Sequence, residues 1–268
     1  ERYRRMLEAM LERGLEPMVT LHHFTNPIWL AQGGGWERRD AVRYFGRFVS
    51  KVVEELGDLA HMWVTINEPS VYALMGYGNG AWPPGRRSFS TAMRVLRHLL
   101  LGHGEAYRTI HALQGNAQVG IANNLCVTTA LNCDSGVDRR VAGLANYVYN
   151  TLPLRAVVEG RFRLPIGLGR VPKLIDSVDF VGVNYYTRYC FGYDRCDRAS
   201  ILTPKLMPDT ELSDLRYGEI YPAGMREVVQ RAQVYGKPIY VTENGVPDDD
   251  DDVRPRFILA HLAQLWRA

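Results

Sequence analysis

The chain has 268 residues, enough for one large α/β domain, and its 46% hydrophobic and 23% charged residues are ordinary for a globular protein. A formal charge of +3 and a pI of about 8.7 are too mild to indicate nucleic-acid binding. No apolar run is long enough for a membrane span, and the four cysteines fit neither a metal-ligand pair nor a disulfide framework. We therefore expect no nucleic-acid and no membrane partner.

Short apolar runs alternate with patterns of helical period, which predicts parallel βαβ units. No linker or change of composition divides the chain, so we expect one domain over 1–268. A long stretch over 188–221 is predicted to be irregular. The predicted elements are helix 1–14, strand 17–21, helix 40–56, strand 63–68, helix 89–114, strand 119–122, helix 137–158, strand 179–184, helix 222–235, strand 238–242 and helix 253–266.

Single residues mark where several of these elements begin or end. Gly14 is a good C-cap for the first helix, and Asp40 is a candidate N-cap for the helix that follows it. Pro69 cannot donate a backbone hydrogen bond, and it excludes Glu68 from the right-handed helical region. The second strand is therefore expected to end at Glu68.

Polar and aromatic residues stand at the carboxyl end of every predicted strand, whereas the strand interiors are apolar. Because α/β barrels build their sites at the carboxyl ends of the strands, we expect these residues to line one polar pocket. They are His22 and His23, Asn67 and Glu68, Asn123 and Asn124, Asn184 with Tyr185 and Tyr186, and Glu243 with Asn244.

Glu68 and Glu243 end two different strands and would face each other across such a pocket. Two opposed carboxylates among amides, phenols and aromatic rings are typical of glycoside hydrolysis, in which one is an acid and the other a nucleophile or base. The amides and histidine would hold sugar hydroxyls, and aromatic rings would stack on the faces of the sugar. The pattern therefore favours a glycosidase.

The sequence resembles glycoside hydrolase family 1, the β-glucosidase family, over nearly its whole length. Residues 65–69 (Thr-Ile-Asn-Glu-Pro) and 241–245 (Val-Thr-Glu-Asn-Gly) look like the two glutamate signatures of that family. Further matches keep the family's order, at 20–24, 34–36, 71–73, 180–186 and 219–222. The resemblance implies an α/β fold, the (β/α)₈ TIM barrel, of which this chain holds about strands three to seven of the eight. It implies no cofactor and no metal.

The resemblance also implies a retaining double displacement, with Glu68 as the acid/base and Glu243 as the nucleophile. The two carboxyl groups should then lie about 5–5.5 Å apart, as in retaining enzymes. The expected substrates are small carbohydrates, namely β-D-glucosides or related β-glycosides. A 6-phospho-β-glycosidase of the same family and a weak or inactive sugar-binding fragment remain alternatives.

Five further residues take substrate-binding roles by the same resemblance. Asn67 would hold the sugar 2-hydroxyl and His23 the 3-hydroxyl, while Tyr186 would steady the nucleophile. Asn184 belongs to the same wall. Phe24 stands where many members carry tryptophan, so an aromatic wall is kept but the indole N–H is lost.

The chain departs from the family at its ends, because strands that would complete the barrel have no counterpart in it. Five parallel strands cannot close a barrel, so two sheet edges would be open and could support self-association. We expect the parent protein to be an active glycosidase and these 268 residues alone to have weak or no activity. A cytoplasmic location is expected, although the chain does not begin with methionine.

Three other patterns have ordinary structural explanations. His22 and His23 lack a third ligand at metal-binding spacing, so no metal is expected there. The five aspartates over 248–252 could bind a cation, but such a run is usually a solvated loop. Residues 82–85 (Trp-Pro-Pro-Gly) predict a turn near the mouth of the pocket, which could shape the channel for the leaving group.

Overall fold

Five parallel strands form the main sheet of the computed structural model, which describes residues 1–196, 201–207 and 210–268. The strands are hydrogen-bonded in chain order, so every strand pairs with the next predicted strand along the chain. This confirms the five parallel strands expected from the sequence. The strands of the sheet are β1 (Met18–His22), β2 (Met62–Asn67), β3 (Gln118–Asn124), β7 (Phe180–Asn184) and β9 (Ile239–Glu243).

Helices follow the strands, as the alternating pattern predicts. No helix in the described ranges combines the length and the apolar character needed to cross a membrane. The helices are α1 (Arg2–Leu11), α2 (Ile28–Gln32), α3 (Ala41–Leu56), α4 (Pro69–Ala73), α5 (Phe89–Leu113), α6 (Gly136–Asn146), α7 (Leu152–Glu159), α8 (Ala223–Gln233) and α9 (Arg254–Trp266).

Of the two residues predicted to cap helices, Gly14 has the expected backbone conformation, whereas Asp40 does not make the expected hydrogen bond. Gly14 adopts a left-handed φ of 71° after α1, as a C-cap glycine does. Asp40 precedes α3, but its side chain makes no capping hydrogen bond. Its carboxylate accepts from Arg38 instead, at 3.0 Å from Arg38 Nε to Asp40 Oδ1. The predicted N-cap is therefore wrong in its chemistry, because a nearby guanidinium is the stronger partner.

Smaller elements were not predicted, because they are too short to show a period. Strands β4 (Val127–Ala130) and β8 (Arg188–Phe191) pair in parallel, so part of the stretch expected to be irregular is a strand. Strands β5 (Gly160–Phe162) and β6 (Gly169–Ile175) form an antiparallel pair. A π-helical turn over Tyr147–Thr151 divides the helix predicted over 137–158. Residues 197–200 and 208–209 of the predicted irregular stretch lie outside the described residues.

The two faces of the sheet bury different sets of side chains. Along β2, Trp63 joins the large core under the helices, whereas Met62 and Val64 join a small cluster with Phe180. This alternation follows from the two-residue period of a strand. Gly120 is required beside this small cluster, because a Cβ there would lie 2.4 Å from the Phe180 ring. The Phe180 ring therefore packs directly against the backbone of Gly120 on this face of the sheet.

Candidate active site

A cavity of about 350 Å³ opens at the carboxyl ends of the strands, and both Glu68 and Glu243 line it. A larger hollow of about 710 Å³ borders α7 and α8, and neither glutamate reaches it. We therefore take the smaller cavity as the candidate site. Its lining residues are His23, Phe24, Glu68, Val71, Met75, Trp82, Asn124, Tyr149, Tyr186, Tyr189, Pro204, Tyr217 and Glu243.

The backbone of Glu68 leaves the sheet in a left-handed conformation, with φ 46° and ψ 60°. Pro69 opens α4 immediately afterwards, so Glu68 leaves the right-handed region as expected, but into the left-handed rather than the extended one. The Glu68 amide still donates to the Ala122 carbonyl at 2.8 Å. A left-handed glutamate costs on the order of 1 kcal/mol, so the surrounding structure must hold this turn in place.

The Glu68 carboxyl group is buried and takes two hydrogen bonds on the same oxygen. Asn124 Nδ2 donates to Oε1 at 3.1 Å, and Asn184 Nδ2 donates to Oε1 at 2.9 Å. Burial raises the pKa of Glu68 to about 7, and repulsion from Glu243 adds to the rise, while the two amide hydrogen bonds oppose it. Near neutral pH this group can therefore both give and accept a proton.

Asn184 joins three strands through its side-chain amide. Besides Glu68, its Nδ2 donates to Asn67 Oδ1 at 3.0 Å, and its Oδ1 accepts from Thr242 Oγ1 at 2.5 Å. Asn67 Nδ2 lies 3.2 Å from His23 Nε2. These buried amides form a polar floor that joins His23 to Glu68, which both line the cavity, and they link the ends of β1, β2, β7 and β9.

Glu243 ends β9, and the Tyr186 hydroxyl donates a short hydrogen bond to its Oε2. Burial, followed by this hydrogen bond to Glu243, raises the pKa of Tyr186 well above its usual value, so the phenol stays a donor. A donor held against one carboxylate oxygen restrains the Glu243 side chain. Glu68 and Glu243 therefore stand in unlike environments.

Aromatic rings close one side of the cavity around Phe24. Its ring centroid lies 4.9 Å from that of His23 and 5.0 Å from that of Trp82. Behind it, the Tyr72 ring stacks at 6.4 Å with an interplanar angle of 15°. Phe24 has a left-handed φ of 67°, which is rare for an aromatic residue. The phenylalanine thus occupies a fixed position in the wall.

Not every polar residue at a strand end reaches the cavity, so the expectation of one shared pocket is partly wrong. His22 turns into the core, where Trp36 Nε1 donates to its Nε2 at 3.2 Å. Burial lowers the pKa of His22 to about 4, which keeps it neutral. Asn67, Asn123, Asn184 and Tyr185 are also buried, and neither they nor Asn244 line the cavity. Neighbours in sequence point to opposite faces, and only one of each pair can face the site.

Asn124 was expected from the sequence to line the pocket, and it does so. Other lining residues were not singled out from the sequence. Tyr217 lies in the stretch expected to be irregular, where no periodicity indicates which residues face inward. Its ring packs edge-on against Tyr186 at 5.9 Å. Trp82 comes from the predicted turn near the mouth.

Comparisons with known proteins agree over the full length of the chain. Residues 1–268 match the family described as Glycosyl hydrolase family 1. Beta-glucosidase A of Thermotoga maritima is 28% identical over 299 residues, which cover 99% of this chain and 64% of that protein. Beta-galactosidase of Pyrococcus woesei is 28% identical over 312 residues, with 99% and 60% covered. The solved beta-glycosidase from Pyrococcus horikoshii superposes with a TM-score of 0.89 at 34% identity, over 99% of this chain and 61% of that one.

The chain therefore spans about 60–64% of the length of these proteins. Its five-stranded sheet corresponds to part of a (β/α)₈ barrel, as the sequence predicts. The family match covers every residue, and the two glutamate motifs lie in it at the ends of β2 and β9. The chain belongs to glycosyl hydrolase family 1.

Proposed function

We propose that this protein is a retaining β-glycosidase that hydrolyses β-D-glucosides or closely related β-glycosides. One observation carries the proposal: two glutamates line one cavity in unlike environments. Glu68 is buried, with a pKa raised to about 7. Glu243 accepts a hydrogen bond from Tyr186. An acid that is half protonated at neutral pH beside a restrained carboxylate is the pair that retaining hydrolysis requires.

In the first step, a Glu243 oxygen attacks the anomeric carbon while the bond from that carbon to the leaving oxygen breaks. Glu68 gives its proton to the leaving oxygen, and a glycosyl ester forms on Glu243. In the second step, water attacks the same carbon and Glu68 accepts its proton. The ester bond breaks, and the sugar leaves with its original anomeric configuration.

The hydrogen bonds of the polar floor support roles for the other predicted site residues in this two-step reaction. Asn67 would hold the 2-hydroxyl, whose hydrogen bond strengthens in the transition state, and His23 would hold the 3-hydroxyl. Tyr186 would fix the attacking carboxylate, while Asn184 would keep the amide floor aligned with it. Phe24 would pack against the sugar. The separation of about 5–5.5 Å between the two carboxyl groups stays a prediction.

Trapping of the covalent intermediate tests the proposal on the full-length protein. A 2-deoxy-2-fluoro-β-D-glucoside with a dinitrophenolate leaving group should inactivate it and leave one sugar on Glu243, located by peptide mass spectrometry. Glu243→Gln should prevent labelling. The control Glu12→Gln changes an exposed residue of the same type and should leave it intact. Labelling at another residue, or none, contradicts the proposal.

Three further expectations belong to this proposal. Residues 1–268 would form one partial barrel domain. The protein would act on a small-molecule carbohydrate in the cytoplasm, without a nucleic-acid or membrane partner. These 268 residues alone would have weak or no activity, because β1 and β9 each have a single sheet neighbour in the described residues.

A further inference from the structure

The sheet loses its regular register where β9 reaches the candidate site. Val183 of β7 pairs with Val241 of β9, whereas the next residue of β7, Asn184, pairs with Glu243. Thr242 is therefore an extra residue on β9, and such a bulge changes where the neighbouring side chains point. In a regular strand Thr242 and Glu243 would face opposite sides of the sheet. Here the Thr242 hydroxyl contacts Asn184 in the polar floor, and Glu243 lines the cavity.

The side chain of Asn184 has partners for both of its polar atoms inside the protein. Its Nδ2 carries two hydrogens, which face Asn67 Oδ1 at 3.0 Å and Glu68 Oε1 at 2.9 Å. Its Oδ1 accepts from Thr242 Oγ1 at 2.5 Å. Asn184 has no exposed surface, so solvent water does not replace these partners. The Thr242 hydroxyl is therefore the donor that satisfies the oxygen of this amide.

The orientation of the Asn184 amide matters for Glu68, because an ionised carboxylate can only accept hydrogen bonds. In the observed orientation, Asn184 offers Glu68 an N–H. If the amide turned over, its oxygen would face Glu68, and only a protonated carboxyl group could bind it. A donor stabilises the ionised form of a carboxyl group, and an acceptor stabilises the protonated form. The orientation of this amide thus sets the balance between the two forms of Glu68.

We propose that Thr242 is a positioning residue, whose hydroxyl holds Asn184 in the orientation that donates to Glu68. The inference rests on the proposed function, because the second step of that reaction needs Glu68 as an ionised base. Donation from Thr242 also polarises the amide, which strengthens its N–H as a donor. Without the hydroxyl, either orientation of Asn184 leaves one buried polar atom without a partner, so neither is preferred.

Other titratable groups also face Glu68, and their effects must be separated from that of Thr242. Burial raises the pKa of the nearby phenols and of the Cys126 thiol, so these groups stay neutral around pH 7. Besides burial, the charge of Glu243 raises the pKa of Glu68, and Glu243 follows Thr242 directly in β9. The titratable groups are Glu243 on β9, His23 after β1, Cys126, Tyr149, Tyr186, Tyr189 and Tyr217.

The test measures the pKa of Glu68 in the full-length protein by carbon-13 NMR of the glutamate carboxyl groups, with Glu68→Gln to assign the signal. Thr242→Val keeps the shape of the side chain but removes the hydroxyl, and it should raise the pKa of Glu68 by at least about half a pH unit. Thr242→Ser keeps the hydroxyl and should retain the wild-type value. An unchanged pKa in Thr242→Val, or the same rise in Thr242→Ser, overturns the inference.

Thr65→Val is the matched control, since the Thr65 hydroxyl is also fully buried and lies 2.7 Å from His103 Nδ1. It removes a hydrogen bond from β2 and should leave the pKa of Glu68 unchanged; a rise of equal size there counts against the inference. The rise in Thr242→Val should persist in a Glu243→Gln background, and its disappearance contradicts a role through Asn184. If Thr242→Val does not fold, Thr242→Ala removes the same hydroxyl.

The pH dependence of kcat/KM gives a second readout, because its alkaline limb reports the acid group of the free enzyme. With phenyl β-D-glucoside, this limb should move to higher pH in Thr242→Val but not in Thr242→Ser. The NMR measurement does not depend on catalysis, so the two possible failures are distinguishable. If the pKa of Glu68 rises but no label forms on Glu243, the proposed function fails although Thr242 positions Asn184. If Glu243 is labelled and the pKa of Glu68 does not move, the inference fails and the proposed function stands.

Discussion

The chemistry of Glu68 depends on its backbone conformation, its burial and its hydrogen bonds together. Its left-handed turn takes the side chain off β2, and two amides then fix one of its oxygens. The sequence motif predicts the residue and the end of its strand, because Pro69 excludes the right-handed region. It does not predict the left-handed turn or the hydrogen bond from Asn124, because both depend on how β3 lies beside β2.

The pKa of Glu68 predicts how the stability of the protein depends on pH. The folded value is about 7, against 4.5 in the absence of burial. Between these values the folded state binds more protons than the unfolded state, so the free energy of unfolding falls as pH rises. Relative to Glu68→Gln, which stays neutral, the wild type should lose about 3 kcal/mol between pH 4.5 and pH 7 and little more above pH 7.

Urea unfolding of both proteins across this pH range measures the difference directly. Glu12→Gln removes an exposed carboxylate and should follow the wild type at every pH. A constant difference between the wild type and Glu68→Gln would falsify the raised pKa.

At the scale of elements, periodicity predicts the long helices and the buried parallel strands but not their connections. Strand β2 is buried at every position, so a continuous apolar run was enough to locate it. Strands β4 and β8 have four residues each, and they become strands only because they pair with each other. Pairing between distant segments leaves little signal in a single sequence.

One carboxylate joins α5 to the sheet. Asp179 accepts from the Tyr107 hydroxyl, from His111 Nε2 and from the Val119 amide, at 2.8 Å in each case. Asp179→Ala should lower the free energy of unfolding by about 2 kcal/mol, because three donors lose their acceptor. Chemical denaturation measures this loss.

The matched control is Asp134→Ala, an exposed aspartate whose change should cost less than about 0.5 kcal/mol. If the two variants are equally stable, Asp179 does not join these elements.

At the scale of the whole molecule, the partial barrel is the feature that the sequence predicts best. The order of the family motifs indicates which of the eight barrel strands the chain contains. Parallel pairing of sequential strands follows from βαβ connections. The shape of the cavity walls could not be predicted, because they come from loops whose conformation depends on contacts such as those of Asn79. The polar strand ends and the turn that carries Trp82 were therefore foreseeable, and the rest of the wall was not.

The two outer strands predict how residues 1–268 behave alone in solution. Strands β1 and β9 each leave one edge unpaired in the described sheet, and such edges pair readily with another chain. Sedimentation velocity should show association that increases with concentration. Thr20→Lys puts a charge on the exposed side of β1 and should weaken it, whereas Asn116→Lys in an exposed turn should not. A monomer at all concentrations contradicts this expectation.

The position of Glu243 on the last strand of the sheet has a consequence for synthesis on the ribosome. Strands β1, β2 and β3 leave the ribosome before β9, so the turn at Glu68 can form while the chain is still growing. Strand β9 follows much later and brings the proposed nucleophile with it. A nascent or prematurely terminated chain would thus carry the acid without the group that forms the ester. On the proposed mechanism, a chain that has not yet reached β9 cannot form the ester.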